Sequence, residues 1–116
     1  MELILELSSK TKLLDAAIRE LKARGSSYAK AEHDYRVAMA KKILVERDNG
    51  TPVTIISDLC RGDAEIAKLR FERDVAEVVY KSAQEAINGY KLQIRILDSQ
   101  IEREWGNTPR EDGYRA

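Results

Sequence analysis

The sequence has little of the chemistry on which most metal centres and nucleophilic active sites depend. Its 116 residues include one cysteine, Cys60, and one histidine, His33. These are too few for a Cys/His zinc cluster or an internal disulfide, and only one imidazole is available for acid–base catalysis. His33 lies in a polar run typical of an exposed helix position, and Cys60 lies among apolar residues, where a thiol acts as a small hydrophobic group. We therefore expect no metal, no cofactor and no enzymatic activity.

An excess of charge and long apolar runs are also missing. Lys and Arg number 20 and Asp and Glu number 20, so the formal net charge of +0 creates no overall attraction toward nucleic acid or anionic lipid. No apolar run approaches the length of about 20 residues that spans a bilayer. The first residues, MELILELSSK, lack the basic region of a signal peptide. We expect a cytoplasmic protein without membrane contact, for which nucleic-acid binding is disfavoured.

Proline is scarce, and this permits two long helices. Only Pro52 and Pro109 interrupt the chain, so residues 2–47 and 63–105 contain no strong helix breaker. Apolar residues step by three and four through both ranges, which is the spacing of a coiled-coil seam. The sequence predicts an all-α fold, a long antiparallel helical hairpin with a short connecting helix, as a single domain over residues 1–106. The connector occupies 48–62, and 107–116 forms a flexible tail.

The two seams predict specific layers if the helices run antiparallel. Gly25 is the main local objection to a continuous first helix, because glycine in a helix costs about 1 kcal/mol relative to alanine and Ser26 could cap a new helix. A break at Gly25 is the alternative, but the heptad phase from Leu21 to Tyr28 favours one helix in which Gly25 allows close packing. Replacing Gly25 with alanine should then overpack the layer and lower the stability of the fold by about 1–3 kcal/mol. The predicted layers are Leu14 with Ile94, Leu21 with Ile87, Gly25 with Ala83, and Tyr28 with Tyr80.

The connector carries turn chemistry at both ends. Gly50 can end the first long helix in a left-handed conformation, and Thr51 followed by Pro52 can cap and start the short helix. Gly62 and Asp63 repeat this pattern of a helix end followed by a helix start, with Asp63 as the N-cap of the second long helix. Three apolar residues of the short helix are expected to close the end of the hairpin: Val53, Ile56 and Leu59.

A second apolar stripe follows another face of the second long helix. A helix in a two-helix hairpin has one partner, so this outer stripe would stay in contact with water unless another protomer covers it. The stripe reads the same from both ends, as an isologous twofold contact requires, and it predicts a homodimer that forms a helical bundle. The alternative is a three-helix monomer with a kink at Gly25. The outer stripe consists of Phe71, Val75, Val78, Leu92 and Ile96, with Ser82, Glu85 and Gly89 between them.

The stretch from Tyr28 to Trp105 resembles short coiled-coil proteins encoded by phages and prophages of low-GC Gram-positive bacteria. The resemblance rests on YAKAEHDYRVAMAKK, on PVTIISDLCRGD with AKLR, and on EAIN with the ending REW. It implies an accessory role in the cytoplasm of an infected host cell, and it carries no catalytic or ligand residue. The residues before Leu21 match less distinctly.

These observations predict a non-enzymatic, self-associating coiled-coil protein that serves a structural or interaction role. Its helical surface or the tip of its connector would be presented to a phage or host protein. The alternative is a nucleic-acid-binding accessory protein in phage replication or recombination, in which dimerisation would concentrate the dispersed basic residues.

Overall fold

The computed structural model describes residues 2–106, which form three helices. Helix α1 covers Glu2–Asp48, α2 covers Val53–Gly62 and α3 covers Ala64–Gly106. The predicted all-α fold is confirmed: two long helices are joined through a short one, and their ends lie within one residue of the predicted ends. The predicted tail at 107–116 lies outside the described residues.

The long helices pass through two compact units, which are described separately. The hairpin unit is Glu20–Ala83, and the terminal unit combines Met1–Arg19 with Gln84–Ala116. Helix α1 has no break at Gly25, so the continuous helix is confirmed and the alternative of a helix end there is wrong. The heptad phase decides the outcome, because the interhelical packing of a long helix outweighs the low helix propensity of one glycine.

The link between α1 and α2 is a tight turn closed by hydrogen bonds to the last turn of α1. Gly50 has a φ of 78° and so takes the predicted left-handed conformation. The predicted role of Thr51 is wrong, because its hydroxyl does not cap α2 but donates to the Glu46 carboxylate at 2.7 Å. Pro52 occupies the N-cap position instead, and its carbonyl accepts the Ile55 N–H at 3.1 Å.

The junction between α2 and α3 confirms one predicted cap and corrects one predicted conformation. Asp63 is the N-cap of α3, and its Oδ1 accepts the N–H groups of Glu65 at 3.0 Å and Ile66 at 3.2 Å. Gly62 was expected to repeat the left-handed turn, but it belongs to α2. The extended backbone of Asp63 ends the helix, and its N–H donates to the Cys60 carbonyl at 3.2 Å. A positive φ is therefore not needed there.

The buried face of α2 differs from the predicted one. Ile56 and Cys60 are buried, one helical turn apart, whereas Val53 and Leu59 are exposed. Val53 is the first residue of α2 and is 76% exposed. Leu59 points about 100° around the helix from Cys60 and misses the buried face. Ile66 on α3 is the third buried residue of the hairpin unit.

In the terminal unit the start of α1 lies beside the end of α3. Leu3 lines one groove together with Gln100 and Arg103, while Lys10 lines another with Gln93. Positions that increase along α1 are thus matched by positions that decrease along α3, so the two segments run antiparallel. Among the described residues of this unit, Ile87 and Leu97 are the buried apolar ones.

Candidate interaction surface

The predicted seam residues are all at least partly shielded from water. Ile87 is buried, and the other seven are partly buried. Intervening positions on the long helices are mostly exposed, as expected where one face of each helix packs against the other helix. The seven partly buried residues are Leu14, Leu21, Gly25, Tyr28, Tyr80, Ala83 and Ile94.

An aromatic layer lies toward the end of the hairpin unit that is farther from the chain reversal. The rings of Tyr28 and Tyr80, predicted as one layer, stack with centroids 5.8 Å apart and an interplanar angle of 27°. Gly25 lies one turn before Tyr28, and a Cβ added to Gly25 would be 3.1 Å from Cε1 of Tyr80. Its three nearest neighbours are all ring atoms of Tyr80. The predicted close approach exists, but the ring of Tyr80 creates it rather than the methyl of Ala83.

Tyr28 also makes a polar contact across the helix pair. Its hydroxyl donates to Oε2 of Glu77 at 2.7 Å, and Lys81 lies 3.3 Å from Oε1 of the same carboxylate. These two partners stabilise the charged form, so the pKa of Glu77 lies below its ordinary value. The pKa of Tyr28 is raised, first because its proton is held by Glu77 and then because the ring is partly desolvated.

A second polar layer surrounds Arg73, whose guanidinium lies 4.7 Å from the centroid of the Tyr35 ring. Arg73 also lies 2.7 Å from Asp74 and 3.4 Å from Glu32 on α1. Arg36 is the first cause that lowers the pKa of Glu32, and Arg73 contributes further. Because Arg73 is charged, its contact with the face of the Tyr35 ring is a cation–π interaction between α3 and α1.

The outer stripe is exposed in both units. In the hairpin unit Phe71 is 68% exposed and Val78 63% exposed, with Val75 between them at 46%. In the terminal unit Leu92 and Ile96 are about half exposed. All five predicted residues are therefore open to solvent, and within the described chain no element covers them.

Each unit has a groove beside its part of the outer stripe. The groove of the hairpin unit has a volume of about 300 Å³ and follows the α1–α3 junction next to Phe71 and Val75, with Arg24 and Glu72 at its edges. The groove of the terminal unit has a volume of about 520 Å³ and includes Ile96. The periodicity of the sequence predicts that the stripe lies on one face of α3. It does not predict the grooves, because these also depend on side chains that α1 contributes.

Gly89 lies on the outer stripe in an open position. Apart from its chain neighbours and its own helix backbone, no atom of the described residues lies within 4 Å of a Cβ added to Gly89. The part of the chain that the structure describes therefore gives no packing reason for glycine here, although glycine weakens a helix by about 1 kcal/mol relative to alanine.

The described residues hold no group of three or more His, Cys, Asp or Glu side chains that could bind a metal ion. His33 is exposed beside Asp34, and Cys60 is fully buried. Between residues 2 and 106, no helix combines the length and apolar character needed to cross a membrane.

Sequence reasoning did not anticipate the apolar side chains exposed near the chain reversal. Leu44, Val45 and Ile55 are each between 44% and 58% exposed, and Leu59 adds to them. The sequence did contain evidence for this exposure. Leu44 and Val45 fall outside the three-and-four spacing of the α1 seam, so they could not both face α3.

No family model, curated protein or solved structure matches this chain. The resemblance to phage-encoded coiled-coil proteins therefore stays a prediction from the sequence.

Proposed function

We propose that this chain is a non-enzymatic coiled-coil protein that self-associates through the outer stripe of α3 and serves as a structural or interaction factor. One observation carries the proposal: five large apolar residues of the stripe are exposed along a helix whose other face already packs against α1. Exposed apolar surface of this kind is unfavourable in water and marks an interaction site.

A second copy of the chain fits the stripe better than an unrelated protein does. The stripe has the same spacing from either end, with Phe71 opposite Ile96 and Val75 opposite Leu92. A twofold contact uses the same surface on both partners and requires this self-complementarity.

We further propose that the protein is a phage-encoded accessory factor in the cytoplasm of a bacterial host, where it binds a phage or host protein. The support is the sequence resemblance together with the exposed apolar residues at the chain reversal. These residues, Leu44, Val45, Ile55 and Leu59, are exposed and do not belong to the outer stripe, so the proposed dimer contact does not use them.

The nucleic-acid alternative is less well supported by the arrangement of charges. Basic side chains of the hairpin unit pair with carboxylates one turn away, as in Arg24 with Glu20 at 2.6 Å and Lys30 with Asp34 at 2.9 Å. Such pairs reduce the positive field that phosphates would encounter. A mobility-shift titration at low salt tests it, and salt-sensitive binding to DNA or RNA would restore this alternative.

The self-association is tested by sedimentation of the wild type and of Val78→Glu. The wild type should sediment as a dimer at tens of micromolar. Val78→Glu should sediment as a monomer with its helicity retained, because a carboxylate buried without a partner opposes association by several kcal/mol. The matched control is Val45→Glu, an exposed valine outside the stripe, which should remain dimeric.

Two outcomes contradict the proposal. A wild type that is monomeric at this concentration excludes self-association. A Val78→Glu chain that unfolds would place Val78 in the core of the protomer instead of on its outer face.

A further inference from the structure

We propose that the two copies of α3 pair antiparallel, with Val78 of each protomer packed against Gly89 of the other. This inference rests on the self-association proposed above and adds its register and its direction. It also assigns a role to Gly89, for which the described residues of the protomer provide none.

The first observation is the contrast between the environment of Gly89 and its cost to the helix. Glycine is among the poorest helix formers, yet Gly89 lies well inside α3, which continues to Gly106. A Cβ at this position would meet nothing within 4 Å. No residue between 2 and 106 therefore fills the space above Gly89, and a side chain from a second protomer can enter it.

The second observation is the fit of large and small residues along the outer stripe. An antiparallel pair centred between Ala83 and Gln84 places Val78 opposite Gly89, so a branched side chain meets the one position that has no side chain. The pairing also matches the coiled-coil rule that a positions face d positions when the helices run antiparallel. A parallel pair would place Gly89 against Gly89 and leave a gap in that layer. Two further layers follow from the same centre: Phe71 with Ile96, and Val75 with Leu92.

Charge at the edge of the stripe supports the same register. The antiparallel arrangement brings Asp74 of one protomer beside Arg95 of the other, since each lies one position before a stripe residue, Val75 or Ile96. Both residues are exposed. Opposite charges at such flanking positions favour a given pairing direction in coiled coils.

The centre of the interface carries the least favourable layer. Ser82 of one protomer faces Glu85 of the other, and the two Glu85 carboxylates lie close to the twofold axis. Like charges near each other oppose association. Glu85→Gln keeps the shape of the side chain and removes the repulsion, so this variant should dimerise several-fold more tightly than the wild type.

Cysteine cross-linking tests the register in chains that also carry Cys60→Ala, which removes the only native thiol. One chain carries Val78→Cys and a second carries Gly89→Cys. An equal mixture should form a disulfide-linked heterodimer under mild oxidation, because only directly opposed positions approach within disulfide distance. Neither chain alone should cross-link.

The matched control replaces Gly89→Cys by Ile96→Cys. In the proposed register, the thiols introduced by Val78→Cys and Ile96→Cys lie seven residues out of alignment, about 10 Å along the helix, which is too far for a disulfide. This mixture should stay reduced. Cross-linking in the control at the expense of the first mixture would indicate a register shifted by one heptad and would overturn the inference.

A second measurement does not depend on cysteine. Gly89→Ala should weaken the dimer roughly tenfold through overpacking of Val78, while the monomer melts at a higher temperature. An unchanged or tighter dimer would overturn the inference.

The outcomes separate the two proposals. A monomeric wild type removes self-association and the register together. A dimeric wild type whose Val78→Cys chain cross-links to itself has Val78 opposite Val78, which the proposed register excludes. A dimeric wild type whose Val78→Cys and Gly89→Cys chains form no mixed disulfide uses another face or register. Either of the last two results overturns the register and leaves self-association intact.

Discussion

Gly25 and Gly89 both interrupt the side-chain pattern of a long helix, but they lie in opposite surroundings. Beside Gly25 the ring of Tyr80 fills the space where a side chain would begin, at 3.1 Å from an added Cβ. Above Gly89 that space is open. The same residue type therefore serves packing within the protomer at one position, and at the other it is available for packing between protomers.

The connector shows the same contrast between covered and open positions on a smaller scale. Ile56 and Leu59 lie three residues apart on α2, yet Ile56 is buried and Leu59 is half exposed. Helical periodicity shows which residues can share a face. The position of the neighbouring helices decides which of them are covered.

The largest expected effect distinguishes these two connector residues. Ile56→Ala should lower the free energy of unfolding by about 3 kcal/mol, because it removes buried methyl groups and leaves a cavity. Leu59→Ala is the matched control and should cost less than about 1 kcal/mol. Urea denaturation measures both values. Equal losses would show that α2 is packed on both faces.

Gly25→Ala should lower the free energy of unfolding by about 1 kcal/mol. The added methyl meets the ring of Tyr80, which is held by its stack on Tyr28, and the helix propensity of alanine offsets part of the strain. In a Tyr80→Leu background the same substitution should become stabilising, since the fixed ring is gone. A stabilising effect in both backgrounds would mean that the ring moves aside at little cost.

Gly89→Ala should have the opposite sign in the monomer, a gain of up to about 1 kcal/mol. Nothing opposes the new methyl when the partner is absent, and alanine restricts the unfolded chain. Thermal unfolding at protein concentrations below the dissociation constant measures this gain. A loss of stability under those conditions would reveal an intrachain contact at Gly89.

Tyr28→Phe should have the smallest effect and should be detected as a change in pH dependence. The hydroxyl of Tyr28 is the first cause that lowers the pKa of Glu77. A carboxylate with a lowered pKa contributes stability above its ordinary pKa of about 4.3, and this contribution is lost as the pH falls through the lowered value. The variant should therefore lose less stability between about pH 6 and pH 3.

Tyr35→Phe is the matched control, since it keeps the ring beneath Arg73. Its acid dependence should follow that of the wild type. If Tyr28→Phe also follows the wild type, the Tyr28–Glu77 hydrogen bond does not contribute to stability in solution.

The sequence was sufficient for the features that depend on periodicity and local backbone chemistry. The two long helices, the left-handed Gly50 and the Asp63 cap follow from such rules. Thr51 could not be assigned from these rules. Its hydroxyl could cap the start of α2 or donate to the Glu46 carboxylate, and the geometry of the folded turn decides between them. The ring of Tyr80 likewise reaches Gly25 from a neighbouring layer, which a model of paired positions does not include.

The turn at Gly50 has a consequence for the order in which the hairpin unit assembles. Lys42 and Asp63, which lie 3.8 Å apart next to the turn, close a much shorter loop than Tyr28 and Glu77, which are 49 residues apart. The longer closure is less favourable by somewhat under 1 kcal/mol of chain entropy. We infer that the helix pair starts to form at the turn and closes toward Tyr28, so substitutions at Ile56 should slow folding while those at Tyr80 should mainly speed unfolding, as stopped-flow kinetics would measure.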